Sequence, residues 1–143
     1  MQYIDITNPI FLSILLSVLA AQGIKTLLDI LEHKRFDWRW LFRGAGMPSS
    51  HTATVTSMAL AVYISEGFTT LFIVAATVAI IVIRDVIGDK VFATHQENLI
   101  NKFIQQLIHH EKVQWNHLIG HTLVEVFAGL ILATAITLVV FFL

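Results

Sequence analysis

Two short polar runs in an otherwise apolar chain carry the residues able to do chemistry: RGAGMPSSHTATVTS at 43–57 and HLIGHTLVEVFAG at 117–129. In the second run His121 and Glu125 lie four apart. That spacing puts them on one helix face, where the carboxylate can orient the imidazole and favour its charged form. In the first run Ser49 or Ser50 can cap a helix, which leaves the next amides open to an anion. Pro48 fixes the approach of the chain, Gly44 and Gly46 let backbone come close to a ligand, and His51 adds an acid–base group. Each run also has a plainer reading: the first as an ordinary helix start at an interface, the second as a glutamate that satisfies an interhelical hydrogen bond.

Other chemistries fit less well. Ser50 and His51 are adjacent in one helical start and need not face each other, and no G-x-S-x-G elbow is present, which argues against a serine hydrolase. His117, His121 and Glu125 resemble a ligand set for a transition metal, yet no H-E-x-x-H run occurs, and we assign no metal. His33, His95, His109 and His110 read as surface or interface residues. With no cysteine there is neither a thiolate nucleophile nor a disulfide framework.

The elements that must position these residues are helices in a bilayer. The chain has 143 residues, read as one domain over 1–143. It is 56% hydrophobic and 13% charged, against about 45–50% and about 25% in soluble domains. The mean hydropathy is +0.75. The net charge of -1 gives no basic face for a nucleic acid, which is not an expected partner. Asp5 and the lack of a basic segment before the first apolar run argue against a cleavable signal peptide.

Four apolar runs are expected to span: one opening at Pro9, one from Ser49 or Ser50 to about Ser65, one from Phe68 to a stop at Arg84 and Asp85, and one from Thr122 to the end. Runs two and three should form an antiparallel hairpin about Glu66 and Gly67. The stretch 89–117 predicts a partly amphipathic helix, interfacial or packed on the bundle. The fold class is therefore all-α, a membrane bundle of about four transmembrane helices plus that extra helix.

Connections 28–50 and 84–121 then lie on one side, and Lys34, Arg35, Arg39 and Arg43 in the first place that side in the cytoplasm of a cell-membrane protein. His51 and His121 share that end whichever way the bundle is oriented.

GMPSSH and GHTLVEVFAG together resemble the divergent PAP2 family, a small membrane family related to acid phosphatases and vanadium-dependent haloperoxidases. The likeness runs from AAQGIKTLLDIL through FDWRWLFRGAGMPSSHTATVTSMA, IVIRDVIG and HQENLIN to GHTLVEVFAG. It implies a phosphatase whose phosphate sits between basic side chains and two histidines. PSSH matches a PSGH-type segment, so His51 would protonate the leaving oxygen and later activate water. His121 and Glu125 match an H-x-x-x-D-type segment with glutamate for aspartate. His121 would attack phosphorus, Glu125 would orient it, and amides near Ser49 and Ser50 would stabilise the phosphoryl oxygens.

The arginine expected ahead of that histidine falls at Trp115, and the upstream K-x6-R-P segment has no faithful match. Lys25, Arg43, Arg84 and Lys90 are the candidate phosphate contacts, with Arg43 favoured because it directly precedes the polar run. Each of Lys25, Arg84 and Lys90 also reads as a helix-end side chain reaching for water. Four spans are fewer than the family's related enzymes usually have, which leaves open a homodimer that completes the fold, a reduced core, or a member without activity.

The expected substrate is a phospholipid or polyprenyl phosphate or diphosphate drawn from the lipid bilayer, with no cofactor and with the site facing the cytoplasm. The alternative is a non-enzymatic scaffold or anion-binding protein that keeps the pocket.

Overall fold

The computed structural model describes residues 7–34, 38, 46–108 and 121–143, and these form four α-helices. Helix α1, Pro9–His33, starts where the Asn8 side chain accepts the Ile10 amide at 2.8 Å and proline occupies the first turn, a position that needs no intrahelical N–H. It closes at Lys34, whose amide bonds the Ile30 carbonyl. Helix α2, Ser50–Glu66, is capped by Ser49 and closed at Gly67. Thr69 then caps α3, Thr70–Ile108, through the Phe72 amide at 3.3 Å. Helix α4, Leu123–Phe142, begins at Thr122. The α2–α3 hairpin is present as expected, its far end held by the Tyr63 and Phe72 rings at 5.1 Å.

Two elements differ from the reading above. Run three does not end as a helix at Arg84 and Asp85: α3 continues unbroken for 39 residues. Charged side chains mark where a segment leaves lipid, but backbone bonding carries a helix onward until proline or a cap intervenes, and both prolines lie earlier, at 9 and 48. Of the separate helix expected over 89–117, residues 89–108 are the distal part of α3, and 109–117 lie outside the described residues.

Run two, expected to span, is the shorter packed helix instead. Its 17 residues reach about 25 Å, less than the roughly 30 Å hydrocarbon core. The helices long and apolar enough to cross a membrane are Pro9–His33, Thr70–Ile104 and Leu123–Phe142. The chain is an integral membrane protein of three long apolar helices with α2 at their centre, in contact with α1, α3 and α4.

The packing logic is that of a protein dissolved in lipid. Small and hydroxylated residues at four-residue spacing line the inner faces: Ser13, Ser17 and Ala21 on α1, with buried Lys25 next in the same register; Ala53, Ser57 and Ala61 on α2; Gly129, Ala133 and Thr137 on α4. Such faces let helix axes approach closely, which matters where no hydrophobic force drives helices together. Ala21, Ala53 and Ala133 meet there with no exposed surface, while Phe127 and Ile131 remain 61% and 71% exposed on the outside.

Candidate active site

The two polar runs meet at one end of the bundle through backbone. The Ser49 amide donates to the Glu125 carbonyl at 3.0 Å, and the His121 amide donates to the Val86 carbonyl on α3 at 2.8 Å. Gly129 permits the first of these. A Cβ there would stand 2.6 Å from the Ser49 carbonyl oxygen and 3.1 Å from the Thr52 Cβ. Ser49, fully buried, also caps α2: its hydroxyl accepts from the Thr52 amide at 3.3 Å and from the Thr52 hydroxyl at 3.0 Å. The sequence offered Ser49 or Ser50 as the cap; the structure selects Ser49 and adds that it ties the start of α2 to the first turn of α4.

At the start of α4 the geometry is tighter still. The His121 Nδ1–H donates to Glu125 Oε2 at 2.8 Å. The same oxygen accepts the Thr122 amide at 3.3 Å, and the Glu125 amide donates back to the Thr122 hydroxyl at 3.3 Å. This is a capping box, so Glu125 both secures the helix start and fixes the imidazole. A ring whose Nδ1 bears the proton keeps a lone pair on Nε2, on the side away from the carboxylate. His121 is buried, with only 3% of its surface exposed. Burial pushes its pKa below the ordinary histidine value; Glu125 pulls it back up through the hydrogen bond and its charge, while Lys25 and His51 add to the lowering. A lowered pKa keeps the ring neutral and nucleophilic near pH 7.

His51 stands opposite, exposed, its ring 5.8 Å from that of His121 at an interplanar angle of 61°. It occupies the first turn of α2, where no other described residue accepts the Ser50 and His51 amides. Those two amides are at the positive end of a helix and suit an anion. The Ser49 amide is already committed to Glu125.

The basic candidates separate. Lys25 is 2% exposed, close enough for its charge to act on His121, and its stem is covered by Gly46. A Cβ on Gly46 would stand 3.4 Å from the Lys25 Cγ and Cδ, and its φ of +118° is one that only glycine adopts easily. An ionisable side chain buried within a membrane bundle is expensive and marks a functional position.

Arg84 and Lys90 flank Val86 on α3, the first exposed and the second half-buried, and neither bonds to His51, His121 or Glu125 among the described contacts. Arg43, Gly44, His109, His110, Trp115 and His117 lie outside the described residues.

A polar cavity of about 360 Å³ opens beside Lys25, lined also by Asp29, Glu32, His33, Gly46 and Met47. Asp29, Glu32 and His33 bring one ligand atom each within 4.8 Å of one another, a grouping able to hold a cation.

Three contributors escaped the sequence reading. Thr122 was detectable, because T-x-x-E before an apolar run is the capping-box pattern. Thr52 and Gly129 carry no local signal, since their roles arise from contact between distant segments.

Three long apolar helices around a short one, with two histidines, a carboxylate and a buried lysine gathered at one end, define an all-α membrane protein with an acid–base site suited to an anion. The family model described as the divergent PAP2 family matches residues 6–136, and the chain belongs to that family, as the resemblance of its two histidine runs implied. It is similar to the uncharacterized membrane protein YuiD of Bacillus subtilis (strain 168), with 31% identity over 149 aligned positions covering 94% of each chain. No solved structure matches it.

Proposed function

We propose that this protein is a membrane phosphatase that hydrolyses a lipid phosphate or diphosphate through a phosphohistidine at His121. The observation that carries the reading is the 2.8 Å bond from His121 Nδ1 to Glu125 Oε2 with the His51 ring 5.8 Å away. It supplies a neutral, oriented nucleophile beside a second acid–base group.

The Nε2 lone pair of His121 attacks phosphorus as the bond to the leaving oxygen breaks, and protonated His51 gives its proton to that oxygen. Glu125 stabilises the cationic ring of the phosphohistidine. His51, now neutral, takes a proton from water as the oxygen attacks phosphorus. The P–N bond breaks, inorganic phosphate leaves, and both histidines are restored. Lys25 and the amides of Ser50 and His51 stabilise the phosphoryl oxygens, with Arg43 as a further contact from the preceding segment. Phosphoryl transfer draws most of its acceleration from such positioning and charge. The lipid enters from the bilayer, and the basic residues at 34, 35, 39 and 43 favour a site on the cytoplasmic face of the cell membrane.

A non-catalytic anion-binding role is the second reading. It is favoured by the capping box, which accounts for Glu125 without chemistry, and by the lack of any described bond from Arg84 or Lys90 to His51, His121 or Glu125. Phosphate release by purified protein from phosphatidic acid, phosphatidylglycerophosphate and polyprenyl diphosphate separates the two. Hydrolysis predicts release that is lost in His121→Ala; the second reading predicts none from folded wild type across pH and added metals.

A further inference from the structure

An apolar cavity of about 430 Å³ lies along the bundle, lined among others by Thr56 and Ala59 on α2, Ala76 and Ile83 on α3, and Leu130 and Thr134 on α4. Its origin is topological. Helices α3 and α4 each pack extensively on α2 and at most slightly on one another, so a gap stays open between them over the α2 surface.

The two ends of the gap differ. At the far end stand Tyr63 and Phe72 with rings in contact. At the near end the α3 wall finishes at Ile83, about one turn below Val86, whose carbonyl receives the His121 amide and so joins α3 to the start of α4. The groove therefore runs from the middle of the bundle to about one turn short of the Val86 carbonyl that holds the His121 amide. Its lining is almost wholly apolar, and the one buried hydroxyl without a partner there, Thr56 Oγ1, lies about 7 Å along the α2 axis from His51. The volume is within the roughly 300–1,000 Å³ range of ligand sites.

We propose that this groove seats the hydrocarbon chain of the phosphate-bearing lipid whose headgroup lies between His51 and His121. The inference rests on the phosphatase reading for the identity of the headgroup. The near end of the groove, one to two helical turns from Val86 on α3 and from His51 on α2, selects this occupant over bulk bilayer lipid: a chain in the groove directs its own polar end toward the His51–His121 pair.

The test uses the full chain in phosphatidylcholine nanodiscs and a long-chain alkyl phosphonate with a diazirine midway along the chain. Its C–P bond is not hydrolysed, so labelling is independent of turnover. The same chain ending in an alcohol is the control. The expected result is labelling at Tyr63, Phe72 and Leu130, at least fivefold stronger for the phosphonate than for the alcohol, and reduced at least fivefold by Ala59→Phe or Ala76→Phe, which fill the groove from its α2 floor and its α3 wall.

Equal labelling by both probes would make the groove a site for bulk lipid and overturn the proposal. So would labelling confined to outward residues such as Ile73, Val78 and Phe127. Release of phosphate from the matching alkyl phosphate, measured separately, distinguishes the two claims. Groove labelling without release upholds the chain site and defeats hydrolysis; release without groove labelling does the reverse.

Discussion

Two helix starts face each other at the polar end of this molecule, and they are built differently from similar parts. Both are capped by a hydroxyl, Ser49 for α2 and Thr122 for α4. On α4 the histidine precedes the cap, is buried, and is held through its ring by Glu125 and through its amide by Val86. On α2 the histidine follows the cap within the first turn, is exposed, and lies beside amides that no described residue accepts. A fixed, desolvated ring suits a nucleophile, and a ring open to water suits proton transfer to a leaving group and from water. The difference fits the distinct roles proposed for two side chains of one type.

The largest effect that sharpens this contrast is expected from His51→Ala. Loss of a proton donor should slow hydrolysis of an alkyl phosphate by about 10²–10⁴-fold. An aryl phosphate, whose leaving oxygen needs no proton, should lose far less in its first step. Rates on the two substrates check this, and equal losses on both would remove the acid role.

Glu125→Gln acts on the other helix start. Glu125 holds the His121 pKa up against burial, so removing its charge should lower that pKa further and move the acid limb of the pH–rate profile to lower pH. The rate plateau should fall by about 10-fold or more as the cationic intermediate loses its partner. A pH–rate profile that keeps its acid limb in place would show that His121 ionisation does not govern it.

Gly129→Ala attacks the junction between the two starts. The added Cβ meets the Ser49 carbonyl at 2.6 Å, and relief requires α2 and α4 to move apart at a cost of about 1–3 kcal/mol. Thermal unfolding in detergent should show the loss, with activity falling alongside because His51 and His121 separate. Thr122→Ala should have the smallest effect, about 1 kcal/mol of stability through the lost cap. Comparison with Gly129→Ala by the same unfolding assay tests whether joining the helix starts matters more than capping one of them.

Much of the site is legible in the sequence because its key relations are local. His121 and Glu125 meet because they are four apart on a helical turn, and Ser49 caps α2 because a serine directly precedes a helical apolar run. What required the structure is set by distant contacts. Lys25 reads as a helix-end side chain reaching for water, and only its packing under Gly46 shows it buried. Run two reads as an apolar run, but it is short, opens on polar residues, and its small residues at 53, 57 and 61 serve contact with neighbouring helices, so it becomes the short central helix. Arg84 and Asp85 announce an exit from lipid, which the sequence reading equated with a helix end. The backbone of α3 does not respond to that change of solvent and continues to Ile108.

The most direct test of the central claim is to trap the covalent intermediate. Protein mixed with a ³²P-labelled aryl phosphate is quenched in alkali, where a phosphohistidine survives, and the labelled peptide is sequenced. The expected result is label on the peptide that contains His121, absent in His121→Ala and accumulated in His51→Ala, in which water is no longer activated. Steady phosphate release with no label on that peptide, in wild type and in His51→Ala alike, would contradict a phosphohistidine mechanism.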